Sequence, residues 1–370
     1  MSSLKKCFHG GAFFDAVGND FSSLDKRSEI INGDVLDAWF PPAPEILKVL
    51  GTHLDWIIRT SPPTDCDGFV RTVAHHRGVG EENILPGAGS SDLMFLALTQ
   101  WLTPHSRVLL LDPTYGEYEH LLTNVIGCRV ERLTCHRSQL FSPSLEDLNK
   151  ALAREYDFCI LVNPNSPTGC HIGRETLECV FEDAPSSTTI WVDETYVEYV
   201  GSEHSLEKFA VQRPNVVISK SMSKSYGLSG VRVAYLCAHA ERIAQLRKYS
   251  PPWVVSLPGQ IAGVLALQET SYYKQRYMET KKLREELVAG LLDLQRMEII
   301  PSVANFVLCM LDPQGPSAAT VVQECRKDNL YLRDTKLMGT TLGNHALRIA
   351  VKDGPTNQKM LTILARVLAK

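Results

Sequence analysis

Five short aliphatic runs set the limits on what this chain can fold into: RVLLLD (107–112), FCILVN (158–163), TIWVDE (189–194), NVVISKS (215–221) and RVAYLCA (232–238). Continuous apolar runs of this kind suit strands buried on both faces. Helix-like segments alternate with them, so the pattern predicts an α/β fold with a mostly parallel central sheet flanked by helices. In such sheets ligands bind beyond the carboxyl ends of the strands. Several runs end there in a polar group: Asp112, Asn163, Asp193 and Lys220 onward.

After residue 260 the pattern changes to long charged helices, such as 271–294, followed by short strands around 305–311 and 346–351. A second, smaller α+β domain is expected. The first 45 residues are rich in Gly and Pro and show no clear period, which suits a segment lying across the surface and joining the smaller domain. The expected division is 1–45 for that segment, 46–262 for the large domain and 263–370 for the small one.

The net charge of −4 comes from interspersed residues, so no basic surface for nucleic acid or anionic lipid is implied. A small molecule or a protein is the expected partner. The ten cysteines form no CxxC pair and no Cys/His spacing of metal type, and they read as buried free thiols in a reducing compartment. No run approaches signal-peptide or membrane-span character, so a cytoplasmic location is expected, with no metal and no membrane contact.

Five segments carry chemistry at the sheet edge. GAGSSDLMF (87–95) turns on glycines into an apolar-periodic helix. Ser90 and Ser91 would sit at its start, where free amides favour a phosphate, although a plain capped turn would read the same. DPTYGEY (112–118) puts Tyr115 and Tyr118 at the edge, and NPNSPTG (163–169) forms a stiff loop able to aim an amide. Asp193 ends its run, and a carboxylate there needs a cation or several donors. Finally SKSMSKSYGLSGVR (219–232) sets Lys224 among Ser221, Ser223 and Arg232. The hydroxyls and the guanidinium suit a phosphate, while a desolvated lysine near other cations becomes a nucleophile towards a carbonyl. A phosphate, a flat ring with a basic nitrogen and an aldehyde together describe pyridoxal 5′-phosphate.

The ordered series GAGSSD, DPTYGEY, NPNSPTG, DETY, SMSKSYGLSGVR and ALRIAV resembles the class I/II aminotransferases of pyridoxal-phosphate fold type I, above all the histidinol-phosphate aminotransferase group. The resemblance implies that Lys224 is the Schiff-base lysine and proton shuttle, that Asp193 keeps the ring nitrogen protonated, and that Tyr196 and Asn165 bond the ring's phenolic oxygen. It implies a phosphate site of Ser90, Ser91, Ser221, Ser223 and Arg232, and stacking by Tyr115. Arg348 would bind the substrate α-carboxylate and Asn305 would be a nearby contact. It also implies a homodimer with both sites at the interface.

The N-terminal third departs from that group. Residues 32–44 read NGDVLDAWFPPAP, and Thr60 and Ser61 stand where a tyrosine is expected. FHGGAFF (8–14) resembles threonine-phosphate decarboxylases and the enzymes that cyclise hydroxylated arginine to capreomycidine or enduracididine. His9 could be a second acid or base, or simply a packed histidine. Asp34 and Asp37 would pair with a guanidinium and repel a substrate phosphate. The specific expectation is therefore a pyridoxal-phosphate lyase that dehydrates and cyclises γ-hydroxyarginine. The alternatives are an aminotransferase for histidinol phosphate or another amino acid, a threonine-phosphate decarboxylase, and a non-catalytic homologue that only binds the cofactor.

Overall fold

In the computed structural model, which describes residues 10–154 and 156–369, the aliphatic runs pair into one seven-stranded sheet. In chain order the strands of the molecule are β1 (Ile31–Asn32), β2 (Ile84–Gly87), β3 (Arg107–Asp112), β4 (Arg129–Thr134), β5 (Phe158–Val162), β6 (Thr189–Asp193), β7 (Val216–Ser221), β8 (Ala234–Ala238), β9 (Met297–Ile300), β10 (Phe306–Leu311), β11 (Leu330–Tyr331), β12 (Arg333–Asp334) and β13 (Ala346–Ala350). The large sheet runs β2-β8-β7-β6-β5-β3-β4. Its neighbours from β7 to β4 are parallel, whereas β8 is antiparallel to both β2 and β7.

Both faces of this sheet are covered, which is why its strands are continuously apolar. Along β3, Val108 and Leu110 pack into one core while Leu109 and Leu111 pack into the other, as the two-residue period of a strand requires. The edge strand β4 (RVERLT) is largely half-buried and too polar to stand out as a run. The run at 232–238 enters its strand only at Ala234, because Arg232 adopts a left-handed backbone with φ of 56°.

The helix Thr270–Asp293 leads to a second sheet of order β12-β13-β10-β9, antiparallel throughout. The closing helix Gly354–Leu368 packs beside it, capped by Asp353, whose carboxylate accepts from the Thr356 amide at 2.9 Å. Near the start of the chain, β1 pairs in parallel with β11, and the Ala350 amide donates to the Gly33 carbonyl at 3.0 Å. Residues 33–37 are thereby laid across the ends of both sheets. The described cysteines are free, and all are buried except half-buried Cys170 and exposed Cys179. Among the described residues no helix is long and apolar enough to cross a membrane.

Candidate active site

A cavity of about 250 Å³ opens beyond the carboxyl ends of β5, β6 and β7, roofed by Val35 and Leu36 and walled on the far side by Arg333 and Arg348. Four polar strand ends were expected at this edge, but only part of that set faces the cavity. Asp112 holds Thr340 through the amide and hydroxyl. Asn163 closes its own loop on Ile172. Lys220 points to the opposite face of β7, where Glu194, Glu198 and Glu207 surround it with Arg77. Alternation along β7 explains this, since Ser221 faces the cavity when Lys220 does not.

One end of the cavity is an anion cradle. Ser90 opens the helix Ser90–Trp101, and Ser91, Ser221 and Ser223 line the same wall. Arg232 reaches in from its left-handed backbone, a conformation costly for a bulky residue. Its Nη1 donates to the Ser229 carbonyl at 2.9 Å, with Ser223 Oγ at 3.5 Å. Gly89, at φ of 96°, leaves room for it: a Cβ there would lie 2.2 Å from the guanidinium. The Ser91 hydroxyl donates to Glu117 at 3.2 Å, and the Tyr115 hydroxyl donates to the same carboxylate at 2.8 Å. Nothing in the motif pattern singled out Glu117, which is buried.

Asp193 sits at the end of β6 and is 5% exposed. Burial pushes its carboxyl up, while Thr195 and Tyr118 pull it back. Its Oδ1 accepts from the Thr195 amide at 3.0 Å and hydroxyl at 2.6 Å, and its Oδ2 accepts from the Tyr118 hydroxyl at 2.8 Å. Three donors on a carboxylate leave one lone-pair site for a ring N–H in the cavity. Tyr118 is thus a buried support behind Asp193 and not a stacking face; Trp191 fixes it in turn by donating at 2.9 Å. Tyr196 lines the cavity with its ring against Phe306, and burial raises its hydroxyl well above the usual range.

Lys224 Nζ lies 3.0 Å from Asp37 Oδ1, which also accepts from the Ser229 hydroxyl at 2.7 Å. Burial lowers the Lys224 ammonium and Asp37 opposes that fall. Burial would raise the Asp37 carboxyl, but Lys224 and Ser229 outweigh it and hold it below its ordinary value. Lys352, which follows β13, donates from Nζ to the Asp37 main-chain carbonyl at 3.4 Å, and burial lowers its ammonium to about 8.

The expected substrate contacts divide. Arg348 lines the cavity and is 5% exposed; its guanidinium donates to Ser166 Oγ and to the Asp34 carbonyl, both at 3.0 Å. Burial and the neighbouring Arg333 lower it to about 10. Asp34 is matched to Arg333, with Nε 2.7 Å from Oδ1, and also accepts from the Gly11 amide at 3.1 Å. With Asp37 paired to Lys224, neither acidic residue stands ready for a substrate guanidinium, which corrects the expectation drawn from their positions. Asn305 is fully buried and donates to the Leu36 carbonyl at 3.0 Å, so it anchors the roof. Asn165 also turns away: its amide donates to Pro113 and Thr168, and Ser166 faces the cavity instead. His9 lies outside the described residues, while Gly10 of the same motif packs on Arg333 and Asp34. Arg333 escaped the motif reading because only the pairing of β12 with β13 brings it level with Arg348.

The residues present fit pyridoxal phosphate: a cradle of hydroxyls and a guanidinium at a helix start, a buried carboxylate with one site left, and a lysine between them. A phosphate at a helix N-terminus is the expected partner of such a cradle. Fold and cavity together define a pyridoxal-phosphate-dependent enzyme of fold type I.

Comparison with known proteins gives the family. The family model "Aminotransferase class I and II" matches residues 53–367, and the chain belongs to that family. It is 27% identical over 331 residues to a histidinol-phosphate aminotransferase of Moorella thermoacetica, covering 89% of this chain and 83% of the relative. The structure of L-threonine-O-3-phosphate decarboxylase from Porphyromonas gingivalis superposes with a TM-score of 0.80 at 25% identity, covering 92% of this chain and all of that one. Histidinol-phosphate aminotransferase from Sinorhizobium meliloti, solved with pyridoxal-5′-phosphate, shares the fold with a TM-score of 0.83 at 20% identity and 99% coverage of both chains.

Proposed function

We propose that this enzyme is an aminotransferase whose amino donor carries an anionic group bound by Arg348. The observation that carries this reading is Arg348 itself, a buried guanidinium on the cavity wall bonded to a hydroxyl and a main-chain carbonyl. A buried cation in that setting calls for an anion, and a carboxylate meets it with two parallel hydrogen bonds. Bound pyridoxal phosphate supplies the electron-withdrawing ring that acidifies the carbon bearing the amino group. Lys224 would take the proton from that carbon, and Asp37 would hold the ammonium so formed. Asp193 would keep a proton on the ring nitrogen, and Arg232 with the serines would hold the phosphate. Ring closure of γ-hydroxyarginine is the weaker reading, because Asp34, one of the two carboxylates that would hold its guanidine, is matched to Arg333.

Decarboxylation of a phosphorylated amino acid is the second reading, supported by the likeness to the L-threonine-O-3-phosphate decarboxylase structure at 25% identity over 92% of this chain. Holoenzyme incubated with histidinol phosphate, threonine phosphate or ordinary amino acids and a keto-acid acceptor separates the readings. Transfer of ¹⁵N to the acceptor is expected; carbon dioxide release without transfer overturns the first reading in favour of the second.

The homodimer implied by the resemblance is part of the proposal. Leu54, Trp56 and Ile58 on the helix Leu54–Arg59 are 51%, 51% and 75% exposed, and Trp253 is 54% exposed. Apolar exposure of this extent suits a face covered by a second copy. Light scattering at twice the chain mass is expected, and a monomer for Trp56→Asp.

A further inference from the structure

A second cavity, of about 360 Å³, lies behind the catalytic one, between the first half of the helix Thr270–Asp293 and residues 198–203. It is the roomier of the two, and its walls are aromatic: Tyr199, Tyr226, Tyr273 and Tyr277. The Tyr199 and Tyr277 rings meet edge to face with centroids 5.3 Å apart. The Tyr277 hydroxyl is buried and has no hydrogen-bond partner among the described residues. An orphaned buried hydroxyl destabilises the fold, and an acceptor from outside the chain would relieve it.

The charges at this cavity are asymmetric. Glu198 is taken up by Arg77 at 2.7 Å and Lys220 at 3.0 Å and offers nothing to a ligand. Lys274 and Lys281 stand exposed at the mouth and make no salt bridge among the described residues, and Glu203 lines the same cavity. An aromatic interior with two ammonium groups at the entrance and one free hydroxyl inside fits a flat, apolar body carrying one negative charge.

A direct link joins the cavity to the catalytic site. The Tyr199 hydroxyl donates to the Lys224 carbonyl at 2.8 Å, and Tyr226 is two residues further along the same segment. A molecule packed on Tyr199 would thus touch the side chain that holds the Lys224 carbonyl.

We propose that this second cavity is an effector site for a small aromatic carboxylate, coupled to Lys224 through Tyr199. The binding half is independent of the substrate reading, whereas the coupling half rests on the role of Lys224. Coupling between the two sites is reciprocal in free energy, so a ligand that moves Lys224 is itself sensed there.

Calorimetric titration of the holoenzyme with indole-3-acetate tests the binding half. Saturable binding is expected, weakened at least about tenfold by Lys274→Gln with Lys281→Gln and by Tyr277→Phe, and unchanged in Arg348→Gln. The lysine pair is exposed, so its substitution leaves the fold intact. No saturable binding overturns the proposal, as does binding lost in Arg348→Gln and kept in the cavity variants, which assigns the probe to the catalytic site. For the coupling half, the pH midpoint of the cofactor's visible absorbance is read with and without probe. A shift in the wild type that is absent in Tyr199→Phe, with probe binding retained there, is expected. An unmoved midpoint in probe-saturated wild type overturns the coupling.

Discussion

Replacing Asp37 by asparagine is expected to make Lys224 a faster nucleophile. The carboxylate oxygen lies 3.0 Å from Lys224 Nζ, and the lysine attacks a carbonyl only as the neutral amine. A pair of unit charges at that distance is worth about 1.4 kcal/mol in the full dielectric of water and about 5.5 kcal/mol at an effective dielectric of 20. The Asp37 side chain is 37% exposed, so solvent screening makes the lower figure the appropriate one. About 1.4 kcal/mol is roughly a factor of ten in the fraction of neutral amine. Lys352 adds to the effect, because its ammonium and that of Lys224 repel and Asp37 attracts both. The assay is the rate at which apoenzyme captures pyridoxal phosphate, followed by the visible absorbance across pH. Below the lysine's midpoint, Asp37→Asn should capture about tenfold faster, with its rate profile moved to lower pH, whereas Asp37→Glu should resemble the wild type. Repeating the assay with pyridoxal, which lacks the phosphate, removes any general attraction of an anion. An unchanged or slower rate with both aldehydes would refute the claim that Asp37 holds the Lys224 proton.

Other substitutions probe the rest of the site. Arg348→Gln should raise KM for the amino donor roughly 30- to 1000-fold, the equivalent of about 2–4 kcal/mol for a lost partner of a desolvated charge pair, with cofactor content unchanged by absorbance. Gly89→Ala forces a methyl against the Arg232 guanidinium at a left-handed position, and equilibrium dialysis should show cofactor affinity reduced at least about tenfold. Arg77→Met leaves Glu198 and Glu207 short of a cation in a fully buried cluster, and urea unfolding should show a loss of about 3–5 kcal/mol. In that cluster the opposing charges of Arg77 and Lys220 overcome burial and hold Glu198 at about 2. A carboxyl depressed in the folded state stabilises above its unfolded value and loses that contribution as pH falls towards 2. Glu198→Gln should flatten this part of the acid-stability curve measured by urea midpoints.

Much of the fold and a core of the site were legible in the chain because both depend on local pattern. Continuous apolar runs identify strands buried on both sides, and the run TIWVD ends on Asp193 whatever lies around it. Lys224, Arg232, Ser221 and Ser223 are close in sequence, so their clustering needs only a tight turn, whereas Ser90 and Ser91 are brought to them by the sheet. The polar edge strand β4 carried no such signal, because a strand with one free edge has no need of a continuous apolar run.

Which charge faces which was decided only by the tertiary structure. Asp34 and Arg333 are 299 residues apart, and so close a pair could not be anticipated from either neighbourhood. Once paired, Asp34 is not a ready partner for a cationic substrate, and the acidic segment that suggested a guanidinium instead serves to balance the protein's own cations. Asn165 and Ser166 show the same limit at the shortest range, since adjacent side chains on one stiff loop point to different sides and only the packed loop selects the one that faces the cavity. A sequence carries residue types and local periods. The sign and strength of an electrostatic environment belong to distances between remote segments, and those exist only in the folded chain.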